Sequence, residues 1–253
     1  MLESYIRKRL EEKDILLMTH IVLGYPSIED SYRIVEAMVK AGVDLMELQI
    51  PFTEPTADGP VITRANQEAL NKGTTVEQCL DIAERITRSF NIPFLFMTYY
   101  NIPFKYGIDQ FVTAMSDRSI KGAIIPDLTP EEGQDYLEAM DRHGLDPVLI
   151  FSPTTSLERM RYIASSARGL IYCVARKGVT GRDTDLSAEL AAYLGRSRQA
   201  TTLPIAVGFG IKGKKDLDFL KGKADIAVVG TQSIRIVEDE GISAVGEFIQ
   251  TLR

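Results

Sequence analysis

Cysteine is scarce: Cys79 and Cys173 are the only two in a chain of 253 residues. Two thiols cannot build a disulfide framework, and neither has neighbours at metal-ligand spacing. No apolar run is long enough to cross a bilayer. The opening Met1-Leu2-Glu3-Ser4-Tyr5-Ile6-Arg7-Lys8-Arg9-Leu10 reads as a charged amphipathic helix rather than a signal peptide. There is no basic run either, and a net charge of −6 argues against a general affinity for nucleic acid or anionic membrane. A linker, a composition shift and an internal repeat are also missing, so one domain over residues 1–253 is expected. These absences leave a soluble protein of a reducing compartment, the cytoplasm.

What is present is an ordinary globular composition, 45% hydrophobic and 25% charged. The length suits one (β/α)8 barrel, although length alone also permits two ordinary domains. Short apolar runs recur at Asp14–Gly24, Val43–Ile50, Pro93–Tyr100, Gly122–Pro126, Pro147–Phe151, Leu170–Val174, Leu203–Val207 and Asp225–Val229. They lack clean alternation, as strands buried on both faces do. Helical patterns lie between them: one capped by Ser27, then Val61–Leu70, Val76–Phe90, Asp109–Met115, a helix running to His143, Ser156–Ser166, Ser187–Ser197 and the C-terminus. About eight strand–helix units predict a parallel sheet closed into an α/β TIM barrel with an extra N-terminal helix. A doubly wound open sheet is the runner-up.

Within the second run Glu47 is the acid set among Leu45, Met46, Leu48 and Ile50. An acid in an apolar strand is costly to bury unless something needs it there. Pro51, Pro55, Gly59 and Pro60 then impose a stiff loop in which Asp58 sits on an Ala-Asp-Gly-Pro turn. Taken singly, Glu47 reads more readily as an edge residue and Asp58 as a turn residue. Together they place two carboxylates at the C-terminal end of a parallel strand, where ligands bind. Gln49, two residues from Glu47, points to the same face and either crowds the pocket or hydrogen-bonds into it.

Gly208-Phe209-Gly210 after strand seven and Gly230-Thr231 after strand eight suit a phosphate site built from main-chain N–H groups and a helix N-terminus. Glycine-rich turns are common in barrels, so the paired positions carry the inference. Loop six, Arg176-Lys177-Gly178-Val179-Thr180-Gly181-Arg182, has the makings of a lid, or is simply a long surface loop. Arg176 and Lys177 either add charge to the phosphate site or are solvated.

The stretch Met46 to Pro60 resembles the signature of the tryptophan synthase alpha subunit family, with Glu47, Pro51, Phe52, Pro55, Ala57, Asp58, Gly59 and Pro60 all matching. Arg176, Gly178, Val179, Thr180 and Gly181 match that family's sixth loop, and Gly208 to Ile211 its seventh turn. Pro126-Asp127-Leu128 and Met97-Thr98-Tyr99-Tyr100-Asn101 match further segments, so the resemblance runs from about Gly24 to Gly230. It implies retro-aldol cleavage of indole-3-glycerol phosphate to indole and glyceraldehyde 3-phosphate, without metal or organic cofactor. It also implies a separate beta subunit that consumes indole, in an alpha2-beta2 assembly.

Carried over, Glu47 is the general acid/base at indole C3 and the substrate hydroxyl, and Asp58 accepts charge from the indole N–H. Gly181, Gly210, Gly230 and Thr231 hold the phosphate. Phe209 and Tyr99 line the indole pocket, Tyr172 belongs to its wall, and Thr180 belongs to the lid and positions Asp58. The chemistry agrees: a leaving carbanion equivalent needs a proton donor at one ring face, and a carboxyl partly buried in an apolar strand suits that role. Asp58, on a polar loop, is expected to stay ionised, so that two acids in opposed surroundings divide the work. Departures from the family fall at His20, Thr19, Tyr25, Gln49, Thr53, Thr129 and Gln232. His20 either faces the indole site or is a hydrogen-bonded interior residue. A free-standing lyase with an altered pocket and a non-catalytic phosphate-binding regulator are the competing readings; retention of both acids argues against the second.

Overall fold

The computed structural model describes residues 2–175, 186–208 and 210–253. The chain opens with α1 (Leu2–Leu10), β1 (Leu16–Val22), α2 (Ile28–Lys40), β2 (Leu45–Gln49), α3 (Pro60–Asn71) and α4 (Val76–Ser89). It continues through β3 (Phe94–Met97), α5 (Asn101–Tyr106), α6 (Ile108–Asp117), β4 (Gly122–Ile124), α7 (Gln134–Arg142), β5 (Asp146–Phe151) and α8 (Leu157–Ser166). The last third holds β6 (Ile171–Val174), α9 (Leu186–Ala200), β7 (Ile205–Gly208), α10 (Lys214–Leu220), β8 (Ile226–Val229), α11 (Thr231–Glu240) and α12 (Ile242–Thr251). The eight strands form one closed parallel barrel in sequence order, sealed where Leu16 of β1 pairs with Ile226 of β8. That is the expected TIM barrel, and closure rules out the open doubly wound sheet.

Each expected strand is present; most are shorter than expected, while the fifth starts one residue earlier at Asp146 and the seventh runs one residue further to Gly208. The third stops at Met97, so that Tyr99 and Tyr100 lead instead into α5, a helix not read from the sequence. Ser27 caps α2 as expected, its hydroxyl accepting the Asp30 N–H at 3.1 Å. Two apolar layers follow from strands buried on both faces. Outward residues such as Leu17, Met46, Leu48 and Phe96 pack against the helices. Inward residues such as Leu16, Met18, Leu45, Leu95, Val148 and Val228 fill the barrel. Leu2 and Ile6 of α1 join this inner cluster, and the Leu2 N–H donates to Asp146 Oδ2 at 3.1 Å, at the start of β5. The extra helix is thus a plug for the N-terminal end of the barrel.

Asp44 fastens that end. Its buried carboxylate accepts the Leu17 N–H at 3.0 Å and pairs with Lys13 at 2.5 Å, Arg9 at 3.1 Å and Arg253 at 3.0 Å. Burial pushes its pKa up, but the Lys13 hydrogen bond, the Leu17 N–H and the Arg253 charge prevail and hold it below the ordinary value. Cations from both ends of the chain therefore converge on the approach to β2. The opposite end of the barrel is left open for chemistry.

Candidate active site

A side-chain period of two turns Leu16, Met18 and His20 of β1 and Leu45, Glu47 and Gln49 of β2 toward the barrel interior. The first members of each series are apolar filling. The last ones, in register through His20 beside Glu47 and Val22 beside Gln49, form a polar layer at the C-terminal end. Glu47 is 2% exposed and His20 4%. Charges so deep require partners, and the layer supplies them. His20 Nδ1 lies 2.9 Å from Glu47 Oε2, and His20 Nε2 lies 2.9 Å from Gln49 Oε1. Gln49 Nε2 donates to Asp58 Oδ2 at 2.7 Å. Both readings of His20 and of Gln49 left open by the sequence are thereby resolved: each is interior, hydrogen-bonded and part of the site.

Asp58 arrives on the loop after β2. The Phe52 N–H donates to Asn66 Oδ1 at 2.9 Å, and the Asp58 N–H to the Pro55 carbonyl at 3.0 Å. Pro60 then starts α3, its fixed φ suited to a first helical position. Tyr99 secures the loop from behind. Its hydroxyl accepts the Ala57 N–H at 3.0 Å and donates to Asp58 Oδ2 at 3.1 Å, while its ring stacks on Phe52 with centroids 5.2 Å apart. Tyr99 is only 1% exposed and stands behind Asp58, a different place from the pocket lining expected of it. Asp58 is half-buried on this loop, between exposed Ala57 and Gly59. Burial raises its pKa, opposed by the His20 charge and by the hydrogen bonds from Gln49 and Tyr99.

The acids face a cavity of about 350 Å³ at the C-terminal end of the barrel. Its lining includes the acids with His20, apolar residues such as Ile62, Met97, Ile124, Ile150 and Val174 beside Tyr172, and also Gly208, Gly210, Lys212, Gly230, Thr231 and Arg235. An apolar wall beside two acids suits a flat aromatic group. Glycine turns, a helix N-terminus at Thr231 and two cations suit an anion. Gly210 has φ +74°, a conformation glycine adopts without strain. At Gly208 a Cβ would lie 2.7 Å from the Tyr172 hydroxyl, so the absence of a side chain lets that ring reach the wall. Burial, and then the charges of Glu47 and Asp58, push the Tyr172 phenol well above its ordinary value. The second oxygen of Glu47, Oε1, is buried without a hydrogen-bond partner among the described residues.

Of the residues expected at the site, Glu47, Asp58, Tyr172, Gly210, Gly230 and Thr231 come together on this cavity. Thr180, Gly181 and Phe209 lie outside the described residues, as do Arg176 and Lys177. The sequence reading missed the cations Lys212 and Arg235. Arg235 was within reach of it, standing one helical turn after Thr231 and so on the same face of α11. Lys212 follows the seventh-strand turn directly, but nothing in the sequence tells its direction.

A family model for the tryptophan synthase alpha chain matches residues 6–251. The chain is 64% identical over 252 residues to the tryptophan synthase alpha chain of Desulforapulum autotrophicum, covering 100% of both. It is 56% identical over 253 residues to that of Syntrophotalea carbinolica, again covering 100% of both. The solved Mycobacterium tuberculosis tryptophan synthase in space group F222 matches with a TM-score of 0.92 at 28% identity, over 99% of this chain and 96% of that one. Tryptophan synthase subunit alpha from Legionella pneumophila matches with a TM-score of 0.90 at 30% identity, over the same two shares.

Proposed function

This chain belongs to the tryptophan synthase alpha chain family, and from that premise we propose that Glu47 and Asp58 are the acid pair with which it cleaves indole-3-glycerol phosphate. The observation that carries the proposal is their convergence on one cavity that the Gly210 and Gly230–Thr231 turns also line. Glu47 delivers a proton to indole C3. The substrate hydroxyl then gives its proton back to Glu47 as its oxygen becomes a carbonyl, and the electron pair of the breaking C–C bond returns to the ring. The reaction releases indole and glyceraldehyde 3-phosphate with no net change in protons. Asp58 accepts a hydrogen bond from the indole N–H and steadies the charge that develops there.

Gly210, Gly230 and Thr231 hold the phosphate, with Lys212 and Arg235 close enough to add positive charge. Tyr172 closes one wall, and Tyr99 supports Asp58 from behind. Gly181 and Phe209 complete the phosphate and indole subsites and Thr180 the lid, roles that rest on the family resemblance alone. The same reading makes a beta subunit the consumer of indole in an alpha2-beta2 complex, in the cytoplasm. No cofactor enters this scheme.

Indole release tests it directly. The chain contains no tryptophan, so indole fluorescence is read without an indole background from the protein. Glu47→Gln preserves shape while removing the transferable proton, and is expected to lower kcat by about 10²–10⁴-fold with and without a beta subunit. Retention of more than a tenth of the parent rate would exclude Glu47 from proton transfer.

A further inference from the structure

The two acids are joined by side chains that the acid-pair reading does not itself require. Asp58 Oδ2 accepts hydrogen bonds from both Tyr99 and Gln49. That fixes the Gln49 amide, because its NH2 must face Asp58 and its carbonyl must therefore face His20. A carbonyl accepts only, so His20 Nε2 must carry a proton. One choice remains in the chain, the proton between His20 Nδ1 and Glu47 Oε2, 2.9 Å apart. It sits either on the ring, giving an imidazolium–carboxylate pair, or on Glu47. In either case Oε2 is occupied, and Oε1 is left buried with no hydrogen-bond partner among the described residues.

We propose that His20 and Gln49 are positioning residues that form a proton-sharing bridge between Glu47 and Asp58. His20 fixes which oxygen of Glu47 meets the substrate, and Gln49 transmits the charge state of that pair to Asp58. The inference rests on the reading of Glu47 and Asp58 as the reacting acids. The groups around His20 agree with it. Glu47 faces it from β2, Asp58 from the following loop and Tyr172 from β6, while Lys212 and Arg235 line the same cavity from the β7 turn and α11. Burial alone would lower the His20 pKa; the hydrogen bond and charge of Glu47, the charge of Asp58 and the Gln49 contact reverse this and raise it.

The test combines kinetics with nitrogen NMR on the full chain. The only other histidine is His143, so the His20 signals are assigned as those that disappear in His20→Gln. The bridge requires a protonated Nε2, with Nδ1 titrating only together with the activity. In His20→Phe the imidazolium that favours the neighbouring anion is gone. The pH profile of kcat/KM should move to higher pH, and kcat should fall about tenfold to hundredfold while KM stays within about twofold. Gln49→Gly should lose nearly as much, and the double variant His20→Phe/Gln49→Gly should be no worse than the poorer single, because one bridge is broken only once.

An unprotonated Nε2, an unmoved pH profile, or losses that simply multiply would overturn the inference. Glu47→Gln separates the two levels. If it is inactive while His20→Phe keeps the parent profile, the bridge fails and the acid pair stands. If Glu47→Gln is active, the acid-pair reading itself fails.

Discussion

Replacing Tyr99 with Phe removes a single oxygen that holds the Asp58 loop at two points. That oxygen accepts from the Ala57 N–H at 3.0 Å and donates to Asp58 Oδ2 at 3.1 Å. A hydrogen bond to a charged group contributes about 1.5–3 kcal/mol and a neutral one about 1 kcal/mol. Ala57 is exposed, so water replaces its partner at small cost. Stacking on Phe52 survives because the ring stays. The net destabilisation is therefore about 2 kcal/mol, a fall in Tm of roughly 4–8 °C for a chain of this size. The larger effect falls on catalysis. Among the described residues Asp58 keeps only Gln49 as a side-chain donor, and freedom of about an ångström at a reacting group costs on the order of a hundredfold in rate. Steady-state indole release should show kcat down tenfold to a hundredfold at nearly constant KM, because Tyr99 stands behind Asp58 and does not line the cavity. A rise in KM with kcat unchanged would put Tyr99 on the substrate surface after all. Parental kinetics with a lowered Tm would reduce it to a packing residue.

Two further substitutions probe opposite ends of the barrel. Asp44→Asn should cost about 2–4 kcal/mol in urea denaturation at neutral pH, since three cations lose the anion that gathers them. The Asp44 pKa is held down in the folded state, so its stabilisation is complete above the unfolded carboxylate value near about 4 and drains away as pH falls through the folded one; a gap between parent and variant that stays open in strong acid would refute the assignment. At the other end, Gly208→Ala puts a methyl 2.7 Å from the Tyr172 hydroxyl and should cost about 1–3 kcal/mol while displacing Tyr172 from the cavity wall. Added Tyr172→Phe should recover part of that stability, and no recovery would mean the methyl is accommodated some other way.

The barrel was legible because its strands are apolar runs of the right length, interleaved with helices, and such a pattern has few three-dimensional solutions. Glu47 stood out for a local reason, as an acid among aliphatics, and Asp58 because prolines and glycine advertise a rigid loop. What escaped was long-range. The bridge from His20 to Gln49 depends on the register of β1 against β2 and on both turning inward, and closure of the barrel sets both. The hold on Asp58 depends on Tyr99, 41 residues away, whose strand ends earlier than its apolar run suggests. Asp44 gathers partners from both termini, a convergence no local pattern announces. The short helices α5 and α10 carry too few turns to show a period.

The polar layer above the apolar barrel filling raises the question of why the chain tolerates it. A buried polar atom left unpaired costs about 1–3 kcal/mol, and His20, Glu47 and Gln49 together bring several. Their arrangement satisfies both ring nitrogens of His20, both polar atoms of Gln49 and one oxygen of Glu47. Glu47 Oε1 is the exception. Among the described residues Thr19, Thr98, Tyr136 and Tyr193 also hold a buried unpaired oxygen, but none of these four lines the cavity, whereas Glu47 does. An apolar core of equal volume would carry no such cost, so stability alone does not explain the layer. A network that satisfies the polar atoms of His20 and Gln49, and leaves one buried oxygen of Glu47 uncommitted in a cavity that glycine turns and two cations also line, is what a site needs if its acid is to be held still by its neighbours and kept free for a substrate.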